Sequence, residues 1–451
     1  MFNNKRDDIF SKRCHLFCQM TGKLFILPCS MKPLLFFSLL LFCYHQNFAQ
    51  PVSRDVLKEN RDKLYRNIVN NTINHNLSAT LTDSTEDRWQ DAFAAIELIH
   101  YRSPWIDNKI YSAFNDIQKR SIPFQRSLLE LGYADYPGIF YIQVRSLLLQ
   151  TDDAKIFAMC VTYILKTEQA TTEINFLREQ TTRKLSADKG NAILEQLLYQ
   201  INNNGKEIIT PSIHTFLQKK YLSGHVLLIS FQRRNRDFPG LIMVRDENGN
   251  FIKNEYGEFF AVPQLARSVA SLPGYLTNGN TPEGIFRMYG TENSKSIFIG
   301  PTSNIQLTVP FEKKPSHFFN NPDLSDTDWN IERYKRLLPE NFKDYYPAYQ
   351  SYYAGKAGRT EIIAHGTTVD PGYSKGKPYY PLSPTQGCLC TKEIWSETTG
   401  MLLESGQQQL SDAISKAGGA FGYAIVINLD DKQEPVTIND IIPFLKLANQ
   451  N

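Results

Sequence analysis

The hydrophobic period of this chain changes near residue 222, and that change limits the folds open to it. From about Asp55 to Lys219 apolar residues recur at three-, four- and seven-residue offsets, the pattern of helices packed on one face. Val56, Leu57, Leu64, Ile68 and Val69 open the series. Trp89, Phe93, Ile96, Leu98 and Ile99 continue it, followed by Ile110, Phe114 and Ile117. Further helices are predicted over 122–133, 138–149, 154–166, 169–184 and 189–202. Asp83, Ser84 or Thr85 and Asp152 or Asp153 supply N-cap chemistry. Helix starts spaced by about 16 residues suggest stacked helical pairs. Cys160, inside an apolar helix, reads as a buried structural thiol.

Beyond the change, short β-rich runs predict strands at 225–231, 240–244, 284–289, 296–299, 304–309, 361–364 and 422–428. Asp246-Glu247-Asn248-Gly249-Asn250 makes a turn through Asn-Gly. Segment 312–358 interrupts the strands with a helix at 329–338 and the tyrosines 345, 346, 349, 352 and 353. Those rings read either as ordinary packing or as a lid that excludes water from a cleft. The fold class is therefore multidomain α+β. An N-terminal all-α domain over 50–219 precedes a mainly-β domain over 220–430, with a helical insertion or lid at 312–358 and a tail at 431–451. A length of 451 residues accommodates this at about 100–200 residues per domain. With 49 Lys+Arg against 46 Asp+Glu, the charge makes no case for nucleic acid.

Residues 1–49 read as a signal peptide, with Met31 or Met20 as the true start and the mature chain beginning near Gln50. Lys32 is the positive flank, Leu34 to Cys43 the apolar core and Ala49 the small residue at the cleavage site. That core is half of the roughly 20 residues that span a bilayer, so no stable transmembrane anchor is expected. Cleavage removes Cys14, Cys18, Cys29 and Cys43, leaving Cys160, Cys388 and Cys390. A disulfide between Cys388 and Cys390 is strained at that spacing, so at least one thiol stays free in an oxidising compartment. Such a thiol invites a chemical role.

The densest candidate lies between His365 and Cys388. Glu361-Ile362-Ile363-Ala364 is an apolar strand running into His365-Gly366-Thr367-Thr368, and the segment ends Thr385-Gln386-Gly387-Cys388-Leu389-Cys390. A thiol is mostly protonated at neutral pH, and a histidine in reach can take its proton and return it to a leaving amine. Glycine before the cysteine lets backbone N–H groups approach an oxyanion. Cys390 reads as a second, packed thiol. No metal site or cofactor is expected: one residue between Cys388 and Cys390 is too few for a zinc pair, and the Gly355–Thr360 run lacks P-loop spacing. Arg233, Arg234 and Arg236 read as a solvated turn, with contact to anionic polymers as the other option.

The segment resembles the L,D-transpeptidase (YkuD-like) family. The resemblance rests on His365-Gly366 after a strand, on Thr385-Gln386-Gly387-Cys388-Leu389, and on Thr281-Pro282-Glu283-Gly284-Ile285-Phe286 upstream. It covers about 222–430 and leaves the helical half aside. Gln386 stands where the family usually has His, and Cys390 where it often has Asn or Arg.

The resemblance implies a bacterial, periplasmic or cell-envelope enzyme of cell-wall biogenesis and cell shape that acts on peptidoglycan stem peptides. It implies Cys388 as nucleophile, His365 as general base and acid, and the Gly366 carbonyl as the group orienting His365. The Gly387 N–H would serve the oxyanion. Thr367, Thr385, Gln386, Tyr379 and Tyr380 are expected around the substrate. The acyl group, cut from the terminal D-Ala of a tetrapeptide, would pass to an amine. The alternatives are water as acceptor, giving a carboxypeptidase, and a catalytically idle wall-binding or scaffold protein. In either case the helical domain offers a surface for a protein partner.

Overall fold

In a computed structural model of the chain, which describes residues 50–324 and 329–448, the helix Ala154–Leu165 is buried from Ile156 through Ile164. A helix apolar on all sides must be enclosed on all sides. The helices Ile122–Asp135, Tyr141–Gln150, Ala170–Ala187 and Ala192–Asn202 surround it. The helical half is thus a bundle around one central helix rather than a row of stacked pairs. Capping follows the sequence: Asp153 Oδ1 accepts the Ile156 N–H at 2.8 Å, and Ser103, Ser121 and Asn191 cap the helices they precede. Cys160 is fully buried there. The signal-peptide reading of 1–49 lies outside the described residues.

The second half is β-rich, so the α+β class holds. Eight strands close into a mixed barrel: β1 (Leu227–Gln232), β2 (Gly240–Arg245), β3 (Val262–Leu265), β4 (Gly284–Glu292), β5 (Asn304–Thr308), β6 (Ile363–His365), β7 (Leu389–Thr391) and β10 (Tyr423–Asn428). The order is β1-β10-β4-β5-β6-β7-β3-β2, with β1–β10 and β6–β7 parallel. β8 (Glu393–Trp395) and β9 (Leu402–Ser405) form a separate hairpin. β1, β2 and β10 are buried at every position, because both faces are covered. One face packs on Leu410, Ala413, Ile414 and Ala417 of the helix Gly406–Ala417. The other packs on the 312–358 insertion and on Ile441, Leu445 and Ala448 of the helix Ile438–Ala448, which lies in the segment read as a tail.

Three expectations change. The run at 296–299 is a turn, in which Gly300 donates its N–H to Ser296 at 3.1 Å; its apolar residues were too few to fix a strand. The arginines are not a solvated turn. Arg233 is fully buried and pairs with Asp430 at 2.9 Å and Asp440 at 3.0 Å, and Arg236 is buried as well. Their acids come from far along the chain, which no local pattern reveals. The tyrosines of the insertion do not form a lid: Tyr345, Tyr349 and Tyr352 are buried in the core, and Tyr346 stacks on Tyr199 at 4.2 Å.

The described residues from Val52 onward form one compact unit, and a loop after β3 joins its halves. Ala270, Leu272, Tyr275 and Leu276 sit in the same core as the helical bundle. Tyr275 donates to Gln200 Oε1 at 2.8 Å, and Asn278 donates to Glu130 Oε2 at 3.2 Å.

Candidate active site

Two short parallel strands build the site. β6 pairs with β7 so that Ala364 faces Leu389 and His365 faces Cys390. Side chains alternate along a strand, so 363 and 365 share a face with 388 and 390. Cys388 therefore lies at the mouth of β7, on the His365 face and two positions from its partner. The helix Gly406–Ala417 pins this pair: Gln407 Nε2 donates to the Ala364 carbonyl at 3.0 Å, and its Oε1 accepts the Thr391 hydroxyl at 3.2 Å.

His365 is buried, with Nδ1 at 2.5 Å from the Gly366 carbonyl. A carbonyl can only accept, so Nδ1 carries the proton and Nε2 is left as the basic nitrogen. Burial pulls the imidazole below its ordinary value, and the Gly366 carbonyl opposes that shift.

Gly366 must be glycine for a local reason. A Cβ there would run into the carboxyl of Glu393. That buried carboxylate accepts the Thr367 N–H at 2.9 Å and the Ser405 hydroxyl at 2.7 Å, and so holds the turn behind His365. Sequence reasoning missed Glu393, because its partners Thr367 and Ser405 lie 26 and 12 residues away along the chain.

Cys388 is partly exposed and its thiol donates to the Glu361 carbonyl at 3.7 Å. Burial pushes the thiol above its ordinary value; the Ile363 N–H and the Arg359 guanidinium pull the other way. Glu361 holds a left-handed φ of 60°, a conformation that costs a non-glycine residue about 1–3 kcal/mol. Its N–H donates to Glu312 Oε1 at 3.1 Å, which helps fix that conformation. Beside Glu312 opens a groove of about 590 Å³ lined by Phe311, Lys313, His317 and Trp329. Cys390 is fully buried, its thiol pushed up chiefly by burial.

The loop carrying the thiol is a tight turn. Gly387 has φ +110°, open to glycine, and donates its N–H to Thr385 Oγ1 at 3.0 Å. Thr385 Oγ1 in turn donates to the Cys388 carbonyl at 3.0 Å. The loop after β3 clamps the turn: Val269 N–H donates to the Thr385 carbonyl at 2.8 Å, and the Thr281 hydroxyl donates to the Gly387 carbonyl at 2.9 Å.

Several expected roles change with this geometry. The Gly387 N–H is engaged by Thr385, so it is not presented to an oxyanion; the turn that aims the thiol uses it. Thr385 is a turn-former and not a substrate contact. Thr367 is buried, with its N–H on Glu393, its hydroxyl on the Phe298 carbonyl and its carbonyl on Trp395 Nε1. Tyr379 packs with Leu265 and Leu382 under Arg267, away from solvent. Gln386 and Tyr380 remain exposed next to the turn.

Sequence reading also missed Arg359, which is buried behind the turn. Its Nη1 donates to the Gly274 carbonyl at 2.6 Å and the Asn280 carbonyl at 2.8 Å. Its Nη2 fills the space where a Cβ of Gly387 would stand. No periodicity marks it, since it lies in the short Gly358-Arg359-Thr360 connection.

Among the described residues no helix is long and apolar enough to cross a membrane. No protein-family model, no curated protein and no solved structure matches this chain.

Proposed function

We propose that the protein is an L,D-transpeptidase-like cysteine acyltransferase of the bacterial cell envelope, acting on peptidoglycan stem peptides. The observation that carries the reading is the β6–β7 register. It brings a histidine with a carbonyl-fixed Nδ1 and a partly exposed cysteine to one face of the sheet. The closed barrel differs from the sandwich typical of that family, so the motif and its geometry, not the fold, support the assignment.

The chemistry runs in two stages. His365 Nε2 takes the Cys388 proton, and the sulfur attacks the carbonyl before the terminal D-Ala. The C–N bond breaks, the amine of D-Ala leaves with the proton held by His365, and a thioester remains. An acceptor amine then gives its proton to His365 and attacks the thioester. The new amide forms as the sulfur leaves and recovers that proton. With the Gly387 N–H engaged by Thr385, the Cys388 N–H takes the oxyanion in this mechanism. The groove with Lys313 beside Glu312 suits a peptide that carries carboxylates. With water as acceptor the same steps give a carboxypeptidase.

One observation favours the catalytically idle reading. The thiol rests on the Glu361 carbonyl, and burial pushes it above its ordinary value. A thiol-reactive probe separates the readings: an unactivated Cys388 labels no faster than a model thiol. Incubation with tetrapeptide muropeptides and mass spectrometry tests the enzyme reading. It expects D-Ala release and an acyl adduct on Cys388, and it fails if Cys388→Ala releases D-Ala equally well.

A further inference from the structure

A buried guanidinium calls for a countercharge, because an ionised group removed from water is costly unless paired. Arg233 meets that need with Asp430 and Asp440, whereas Arg236 and Arg245 are held by backbone carbonyls with Glu283 and Asp246 acting on them without a salt bridge, and Arg287 lies over the Tyr423 ring. Arg359 too is held by backbone. Among the described residues it forms no salt bridge with a carboxylate, and its Nη1 is held by two neutral carbonyls, those of Gly274 and Asn280. The thiol of Cys388 supports its charge against the burial that pulls the guanidinium down. The geometry fits, since Nη2 lies against the Cα of Gly387, the residue before the nucleophile.

We propose that Arg359 is the electrostatic partner of Cys388: anchored by the Gly274 and Asn280 carbonyls and laid behind Gly387, it holds the negative charge that the sulfur carries once its proton has gone to His365. The proposal rests on the reading of Cys388 as a nucleophile. Arg359 is then a positioning residue, acting on the sulfur through its charge and not by contact with substrate. Burial pulls its guanidinium down to about 10, so it remains charged at neutral pH. Its sign opposes that of Glu361, the acid next to the thiol, and its pull on the thiol is the larger of the two. The arrangement also accounts for glycine at 387, where any side chain would displace the guanidinium. It further gives the helical half a role. The carbonyls that fix Arg359 belong to the loop that Tyr275 and Asn278 tie to the bundle.

The test is the pH profile of Cys388 alkylation by iodoacetamide in the full chain, read by peptide mass spectrometry so that Cys160 and Cys390 are counted separately. Arg359→Met should slow labelling at pH 7 about tenfold or more and move the profile at least about one unit to higher pH. Arg359→Lys, which keeps the charge but cannot reproduce the two-carbonyl fork, should restore most of the rate. An Arg359→Met chain that labels like wild type with an unmoved profile overturns the proposal, as does Arg359→Lys behaving like Arg359→Met. Should Arg359→Met fail to fold, the wild-type chain decides. Its ratio of iodoacetate to iodoacetamide rates should exceed that of N-acetylcysteine several-fold, and an equal or lower ratio overturns the proposal. Labelling needs no peptide substrate. A shifted profile with inert muropeptides would therefore sink the transpeptidase reading alone.

Discussion

The phenol of Tyr275 donates to the side-chain carbonyl of Gln200 at 2.8 Å, across the seam between the helical bundle and the barrel. Tyr275 belongs to the loop whose carbonyls hold Arg359 and whose Thr281 holds Gly387. The bundle is thereby a support for the thiol-bearing turn. Leu272→Ala, which empties a fully buried position in the shared core, should cost about 2–5 kcal/mol in urea unfolding. Hydrogen exchange should then rise at 268–281 and at 385–388 together. Exchange rising only in the helices would contradict this coupling.

Gly387→Ala meets two obstacles at once, a positive φ and the space already filled by Arg359 and the Gly279 carbonyl. Backbone strain alone should cost roughly 1–3 kcal/mol. Urea midpoints measure the loss, and Cys388 labelling should slow in whatever fraction folds. A fully stable, normally reactive Gly387→Ala chain would refute the turn geometry.

Stability should fall with rising pH across the slightly acidic range. Burial lifts Glu283 and Glu130 to about 7, against about 4.3 in an unfolded chain. Between those values the folded state keeps protons that the unfolded state has lost. The stabilisation is fully present below about 4.3 and is lost as pH rises through about 7. The Glu130→Gln/Glu283→Gln chain should flatten the urea midpoint between pH 5 and pH 8; an equally steep decline in that variant would contradict the assignment.

In the proposed mechanism His365 acts as a base in its neutral form, and burial pulls its imidazole below the ordinary value. The acid limb of the rate profile should therefore fall below about 6.5, the value for a free imidazole. His365→Gln should lower the rate by about 10²–10⁴-fold and abolish that limb. Kinetics from pH 4.5 to 8 check both, and an acid limb above 6.5 would count against His365 as the base.

What the sequence made legible followed from local pattern. The helices between 122 and 202 came from apolar period and caps such as Asp153, and β1, β2, β4 and β10 from β-branched runs. His365, Gly366 and Cys388 were legible because one short segment holds them. β3 and β7 were missed: at four and three residues, neither outweighs its flanking loops. The roles of Arg359, Glu393 and Arg233 depend on partners distant in sequence, and only closure of the barrel brings those together. Thr367, Thr385 and Tyr379 misled for the same reason, since polar residues near a motif resemble substrate contacts until their partners are known.

The central claim is that Cys388 forms a thioester with a stem peptide. Intact-protein mass spectrometry after incubation with a tetrapeptide muropeptide measures this most directly. The account predicts an added mass equal to the peptide minus D-Ala, located on Cys388 and absent from Cys388→Ala. Release of D-Ala by Cys388→Ala at the wild-type rate, or an unmodified Cys388 in a chain that turns the substrate over, would contradict it.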